Sequence, residues 1–271
     1  MKWVNMASTL RRYPLSSIFS VIGSIILLFT VLTLLNMVFK QVVYDLSGLI
    51  DAATDNYVIE SITLTLYASF LSTLIAIILG TPLAYILARH EFKGKNFVEA
   101  VIDLPVIIPH SVAGIALYSL FMSRSTLGSA FASIGIVFED HLPGIVVAML
   151  FVSASLFINA ARDGFQSVDP RLERVARTLG ASQSQAFLRI TLPLTLRHLL
   201  SGAILSWARG ISEFGAVVMI AFYPMIAPIL IYYRFTTTGL KGSQPIAVLL
   251  ILICLILFVT LRVYSRRWEK G

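Results

Sequence analysis

The sequence predicts an all-α integral membrane protein with six transmembrane helices, on three observations. Of its 271 residues 57% are hydrophobic and only 13% charged, and the mean hydropathy of +0.85 exceeds what a water-soluble core of this size hides. Apolar runs long enough to cross hydrocarbon, about 20 residues each, recur at 15–39, 58–88, 100–121, 143–161, 199–222 and 245–264. The basic residues gather in alternate connections between those runs, as positive-inside topology requires.

Each element has its own justification. The first run follows Lys2, Arg11 and Arg12; it is too long for a signal-peptide core and has no small-x-small cleavage site, so it reads as a retained anchor. The connection at 40–57 carries Asp45, Asp51 and Asp55 and suits a short external helix. Pro105 and Pro109 are expected to kink the third span, with Asp103 capping it at the inner surface. Gly202, Gly210 and Gly215 let the fifth span bend or pack closely.

With a cytoplasmic N-terminus, Arg89, Lys93 and Lys95 lie inside, as do Arg162, Arg171, Arg174, Arg177, Arg189 and Arg197, and Arg262, Arg266, Arg267 and Lys270. Outside remain Lys40, Arg124, Arg234 and Lys241, with Arg209 within the fifth span. Both termini are thus expected in the cytoplasm of a multi-pass cell-membrane protein. The net charge of +7 reflects topology, and no nucleic-acid partner is expected. Residues 1–271 read as a single membrane domain. Its one cysteine, Cys254, lies in an apolar run, which excludes disulfides within the chain and thiolate metal sites.

The segment 169–193, DPRLERVARTLGASQSQAFLRITLP, is too polar to span. Asp169 before Pro170 is an N-cap with proline in the first turn. Leu172, Val175, Ala176 and Leu179 form an apolar stripe, and Arg171, Glu173, Arg174 and Arg177 lie off it. Gly180 stands where a helix stop needs a left-handed residue, and Ser182 with Gln185 makes a capping box for a second short helix. Such a hairpin either lies on the anionic inner leaflet or seats its helix in a groove of a soluble partner.

Ala176-Arg177-Thr178-Leu179-Gly180, nine residues, then Ile190-Thr191-Leu192-Pro193 resembles the EAA loop of ABC-importer permeases. SWARGISEFGAVVMIAFYPMIAP (206–228) and DLPVIIPHSVAGIAL (103–117) resemble the oxyanion permeases, most closely the molybdate/tungstate group. The resemblance implies a type I ABC-importer permease fold in which Glu173, Arg174, Val175, Ala176, Arg177, Thr178, Leu179, Gly180, Ala181 and Ser182 couple to an ATPase. It also implies a second copy of the chain, two cytoplasmic ABC ATPase subunits that hold ATP-Mg, an external substrate-binding protein and alternating access. The family pattern starts Glu-Ala-Ala where this chain has Arg174-Val175-Ala176. One residue turns a helix by about 100°, so Glu173 does not simply inherit the missing carboxylate's contact.

The chain has no Gly-x4-Gly-Lys-Ser/Thr phosphate loop. His90, His110, His141 and His198 lie on separate segments without ligand spacing, and no nucleophile motif occurs. No catalytic residue, metal or cofactor is therefore expected in this chain. Arg209 and Glu213, at i and i+4 in the fifth span, suit a self-neutralising structural ion pair. Alternatively Arg209 is a transient contact for a passing dianion, with Ser206, Ser212 and Gly215 beside it at a pathway or gate. Sulfate or thiosulfate is the alternative substrate, and an energy-independent anion channel the alternative of a different class.

Overall fold

The computed structural model describes residues 14–268 and is all-helical over them. Lys2, Arg11, Arg12 and Lys270 lie outside the described residues. The first span is α1 (Pro14–Tyr44). The expected short helix in 40–57 is α2 (Leu46–Thr54), and aspartates punctuate it. Asp45 caps α2 by accepting from the Gly48 N–H at 3.1 Å. Asp55 caps α3 (Asn56–Arg89) by accepting from the Tyr57 N–H at 2.8 Å.

The third expected span is two helices, α4 (Lys95–Ile107) and α5 (His110–Phe121), whose axes differ by 111°. Pro109 makes the break. A proline disfavours helical geometry in the residue before it, and Ile108 is extended at φ −73°, ψ 145°; Pro105 lies inside α4 without ending it. Asp103 is not the expected cap. It lies within α4 and accepts from Asn159 Nδ2 at 2.6 Å, tying α4 to the fourth span.

After α6 (Thr126–Ala132), capped by Ser125, comes α7 (Leu142–Ser167), then the hairpin helices α8 (Pro170–Thr178) and α9 (Gln183–Ala186). A π-helical turn, Phe187–Thr191, leads into α10 (Leu192–Ile211). Instead of continuing to 222, the fifth span stops at Ile211, and a short α11 (Val217–Ile220) follows. The sequence reading did not foresee α12 (Ala227–Thr238), stopped by Gly239 at φ +70°; α13 (Leu240–Trp268) follows. Four helices, α1, α3, α7 and α13, are long and apolar enough to cross a membrane, five spans if α4 and α5 count as one. A sixth rests on α10, whose Arg197, His198 and Arg209 lower its apolar character.

α7 is the central helix, 61% of its apolar window being buried against none of α1's. It packs along α3 and α10 in two apolar layers, one around Ile145, Met149 and Val152, the other around Leu87, Phe157, Phe165 and Leu199. The second layer lies at the end of the bundle that carries Arg89 and the hairpin, here termed the basic end. In hydrocarbon, helices associate through close van der Waals packing of small residues. A Cβ on Gly202 would sit 2.8 Å from Ala160 Cβ, and one on Gly210 3.0 Å from Ser69 Cβ. Gly202→Leu is therefore expected to cost about 1–3 kcal/mol or more, read as a lowered Tm in detergent; an unchanged Tm would show that α7 and α10 do not meet there.

Candidate functional site

Two constellations stand out, the hairpin 169–193 and a polar cluster where α5 and α10 meet. In the hairpin, Asp169 Oδ1 accepts from the Arg171 N–H at 2.8 Å, so α8 starts at its cap with Pro170 in the first turn. Gly180 stops it at φ +94°. Its N–H donates to Arg177 O at 3.1 Å and the Ala181 N–H donates to Ala176 O at 3.0 Å, a closure only a left-handed residue permits. Ser182 and Gln185 form the reciprocal capping box. Pro193 lacks an N–H, and its ring would strike the carbonyl four residues back. The chain widens there into the π turn, with Leu192 N–H donating to Phe187 O.

Glu173 faces inward, its side chain 15% exposed. Its Oε1 accepts from Arg89 Nε at 3.0 Å and Thr191 Oγ1 at 2.8 Å, and its Oε2 from Tyr85 OH at 3.0 Å. Arg89 Nη1 also donates to Val168 O at 2.9 Å. This one carboxylate joins α8 to the end of α3 and to the π turn. Tyr85 packs edge-on against Phe165 and Phe187, with ring centroids 5.5 and 5.0 Å away. Sequence reasoning missed Tyr85, Arg89 and Thr191; the signal was a hydroxyl and a cation at i and i+4 closing the second span.

The opposite face of the hairpin is open. Leu172, Val175 and Leu179 are exposed, Leu179 at 82%, and so are Arg171, Arg174, Arg177, Thr178 and Ser182; Ala176 and Ala181 are half-buried. A cleft of about 520 Å³ is lined by Arg174, Arg177, Thr178, Ala181, Ser182 and Gln183. With Glu173 turned inward, the charges on this outer face of α8 are its arginines alone.

Burial pushes the Glu173 carboxyl up, but hydrogen bonds from Thr191 and Tyr85 and the Arg89 charge outweigh it and hold the group below its usual value. A lowered folded value means that its stabilisation is complete above the ordinary carboxyl range and is lost as pH falls through the folded value. Proteolytic nicking within 169–193 should therefore accelerate in acid. Glu173→Gln, losing about 1–3 kcal/mol, should be nicked about tenfold faster already at neutral pH with a flatter pH profile. Equal pH profiles for the two proteins would exclude this role.

In the second constellation Arg209 Nη2 donates to Glu213 Oε2 at 2.9 Å, the i,i+4 pair expected from the sequence. His110, 99 positions away, joins it. Its Nδ1 is 3.0 Å from Glu213 Oε2, and Arg209 Nη2 lies 3.0 Å from each of its ring nitrogens. Glu213 Oε1 accepts from the Ala216 N–H at 2.7 Å, and Arg209 Nη1 donates to Ser212 Oγ at 3.1 Å. A Cβ on Gly215 would sit 2.7 Å from His110 Cβ. Ser206 does not belong to this group: it is fully buried in helix packing and its hydroxyl has no hydrogen-bond partner. Nothing in the sequence marked His110 except its place after the Pro109 break. Among the described residues no cluster of three or more His, Cys, Asp or Glu side chains suits a metal ion.

A helical bundle with several apolar spans, broken helices at a polar cluster and a capped hairpin at its basic end is the architecture of a multi-pass membrane permease subunit. The chain belongs to the family of binding-protein-dependent transport system inner membrane components, whose sequence model matches residues 80–270. It is 47% identical over 252 residues to the molybdate/tungstate transport system permease protein WtpB of Pyrococcus furiosus, covering 93% of this chain and 96% of that one. It is 31% identical to the sulfate transport system permease protein CysT of Synechocystis sp., covering 90% and 87% respectively. The fold matches that of a bacterial ABC transporter that imports the acidic polysaccharide alginate, with a TM-score of 0.73 at 19% identity over 97% of this chain and 99% of that one.

Proposed function

We propose that this chain forms the translocation pathway for ATP-driven import of molybdate and tungstate by alternating access. It acts as a dimer with a second copy of itself, on two cytoplasmic ABC ATPases that hold ATP-Mg, and receives the anion from an external binding protein. The observation that carries the reading is the rigid hairpin. Capped at both ends and anchored through Glu173, it offers Leu172, Val175 and Leu179 with Arg171, Arg174 and Arg177 around them. A preformed amphipathic helix of this kind seats in a groove and transmits a push. With only cations on that face, the ATPase groove is expected to present carboxylates opposite Arg174 and Arg177.

The orientation follows from charge, the basic end and both termini being cytoplasmic. An apolar cleft of about 940 Å³ between α3 and α10, lined by Ile77, Leu196 and Leu200 among others, and the unburied α1 are surfaces for the second copy and for lipid. ATP drives import only if it binds the outward-facing assembly better than the inward-facing one. The substrate assignment rests on the 47% identity to the Pyrococcus permease, against 31% for the sulfate relative.

The test is reconstitution with the ATPase and the binding protein in liposomes. Molybdate and tungstate are expected to stimulate ATP hydrolysis and to accumulate well above sulfate. Preference for sulfate would change the substrate, and flux without nucleotide would make the protein a channel.

A further inference from the structure

The cluster at His110, Arg209, Ser212 and Glu213 is more than an ion pair, because its carboxylate and its donors face different ways. Glu213 is 1% exposed. Both its oxygens are engaged, Oε1 by the Ala216 N–H and Oε2 by Arg209 and His110. The donor side chains remain open: Arg209 is 27% exposed, His110 34%, and Ser212 is exposed. Among the described residues Glu213 is the only carboxylate within ion-pair distance of Arg209 or His110. The Ser212 hydroxyl donates to Arg209 O at 3.0 Å, so the open rim of the cluster is the guanidinium edge of Arg209, with the His110 ring and the Ser212 oxygen beside it.

Position adds a second argument. Trp207 Nε1 donates to Leu66 O at 3.4 Å, and Gly210 abuts Ser69. Leu66 and Ser69 belong to the membrane-crossing α3, well inside its ends, so the cluster lies within the spanning region. Charged side chains at that depth face a bundle interior or a watery cavity, not lipid. The cluster also sits at two helix breaks, after Pro109 and after Ile211. No side chain caps the N-terminus of α5, which begins at His110, and its unpaired N–H groups add positive potential at the same place.

We infer that Arg209, held beside the His110 ring and Ser212, is a transient docking point for a tetrahedral oxyanion, and that Glu213 positions the guanidinium from below. This rests on the import function proposed above. The Glu213 charge cancels that of Arg209, which keeps the site shallow. A passing dianion meets a guanidinium edge whose charge is already compensated, and conduction requires binding that weak. Assembly across two helix breaks also makes the site sensitive to rearrangement: moving α5 against α10 parts His110 from Arg209 and dismantles it.

The test uses the full complex with its ATPase and binding protein in liposomes and reads ions taken up per ATP hydrolysed, with molybdate, tungstate and sulfate each as probe. Arg209→Lys keeps a cation beside Glu213 but loses the fork; His110→Phe keeps the ring volume; Ser212→Ala removes one hydroxyl. Loss of a charge-assisted hydrogen bond is expected to lower the uptake ratio about tenfold for the first two variants, and less for the third. Glu173→Gln, which loosens the hairpin, should lower uptake and hydrolysis together and leave the ratio in place. An unchanged ratio in all three cluster variants would overturn the docking point and make the cluster a structural clip. Wild-type protein that moves none of the three anions would instead overturn the import function itself.

Discussion

Gly180→Pro is expected to abolish uptake while the protein still reaches the membrane, and deletion of 171–180 should do the same. At Gly180 φ is +94°, a left-handed value proline cannot adopt, since its ring holds φ near about −65°. Proline would also remove the N–H that donates to Arg177 O. The turn between α8 and α9 would then open, and Leu172, Val175 and Leu179 would no longer be presented as one face. Gly180→Pro leaves α3, α7 and α10 untouched, and the deletion costs them only the Glu173 contacts at the end of α3; their mutual packing makes the bundle, so insertion persists. The measurement is uptake in proteoliposomes beside the amount of membrane-inserted protein. An approximately 10²-fold loss or more is expected for a misplaced positioning element. Uptake at the wild-type rate in either variant would remove the hairpin from the mechanism.

Glu213→Ala should have the largest effect on stability. It leaves Arg209 uncompensated and the Ala216 N–H without its acceptor, and breaking one side of a buried pair costs about 3–5 kcal/mol. The expected readout is a sharply lowered Tm in detergent. Replacing both members, Arg209→Met with Glu213→Leu, should recover most of that loss, because an apolar pair needs no desolvation. Equal Tm values for Glu213→Ala and the wild type would show that the carboxylate does not hold the break after α10.

Much of the hairpin was legible because its determinants are local. The Asp169 cap, the Gly180 stop and the Ser182–Gln185 box each depend on residues at most five positions apart, and the structure has each where the spacing places it. The i,i+4 pairing of Arg209 and Glu213 was legible for the same reason. Hidden were the π turn before Pro193, the inward turn of Glu173 to Tyr85 and Arg89, and the arrival of His110 at Glu213. Asp103 was misread as a cap because its real partner, Asn159, is 56 positions away. The fifth span was drawn too long, since an apolar run from 199 to 222 reads as one helix until Glu213 is seen drawing its carboxylate back onto the Ala216 N–H.

By itself the sequence determined the membrane class, the run of apolar spans, the turn chemistry of the hairpin and the excess of arginine on it, because hydropathy, capping and charge act over a few residues. Only the tertiary structure decided which side of α8 is free, where the third span breaks by 111°, and that a histidine of α5 closes on the carboxylate after α10. Those outcomes depend on contacts between helices far apart in the chain, and their partners are chosen by packing geometry, which no local pattern of residues encodes.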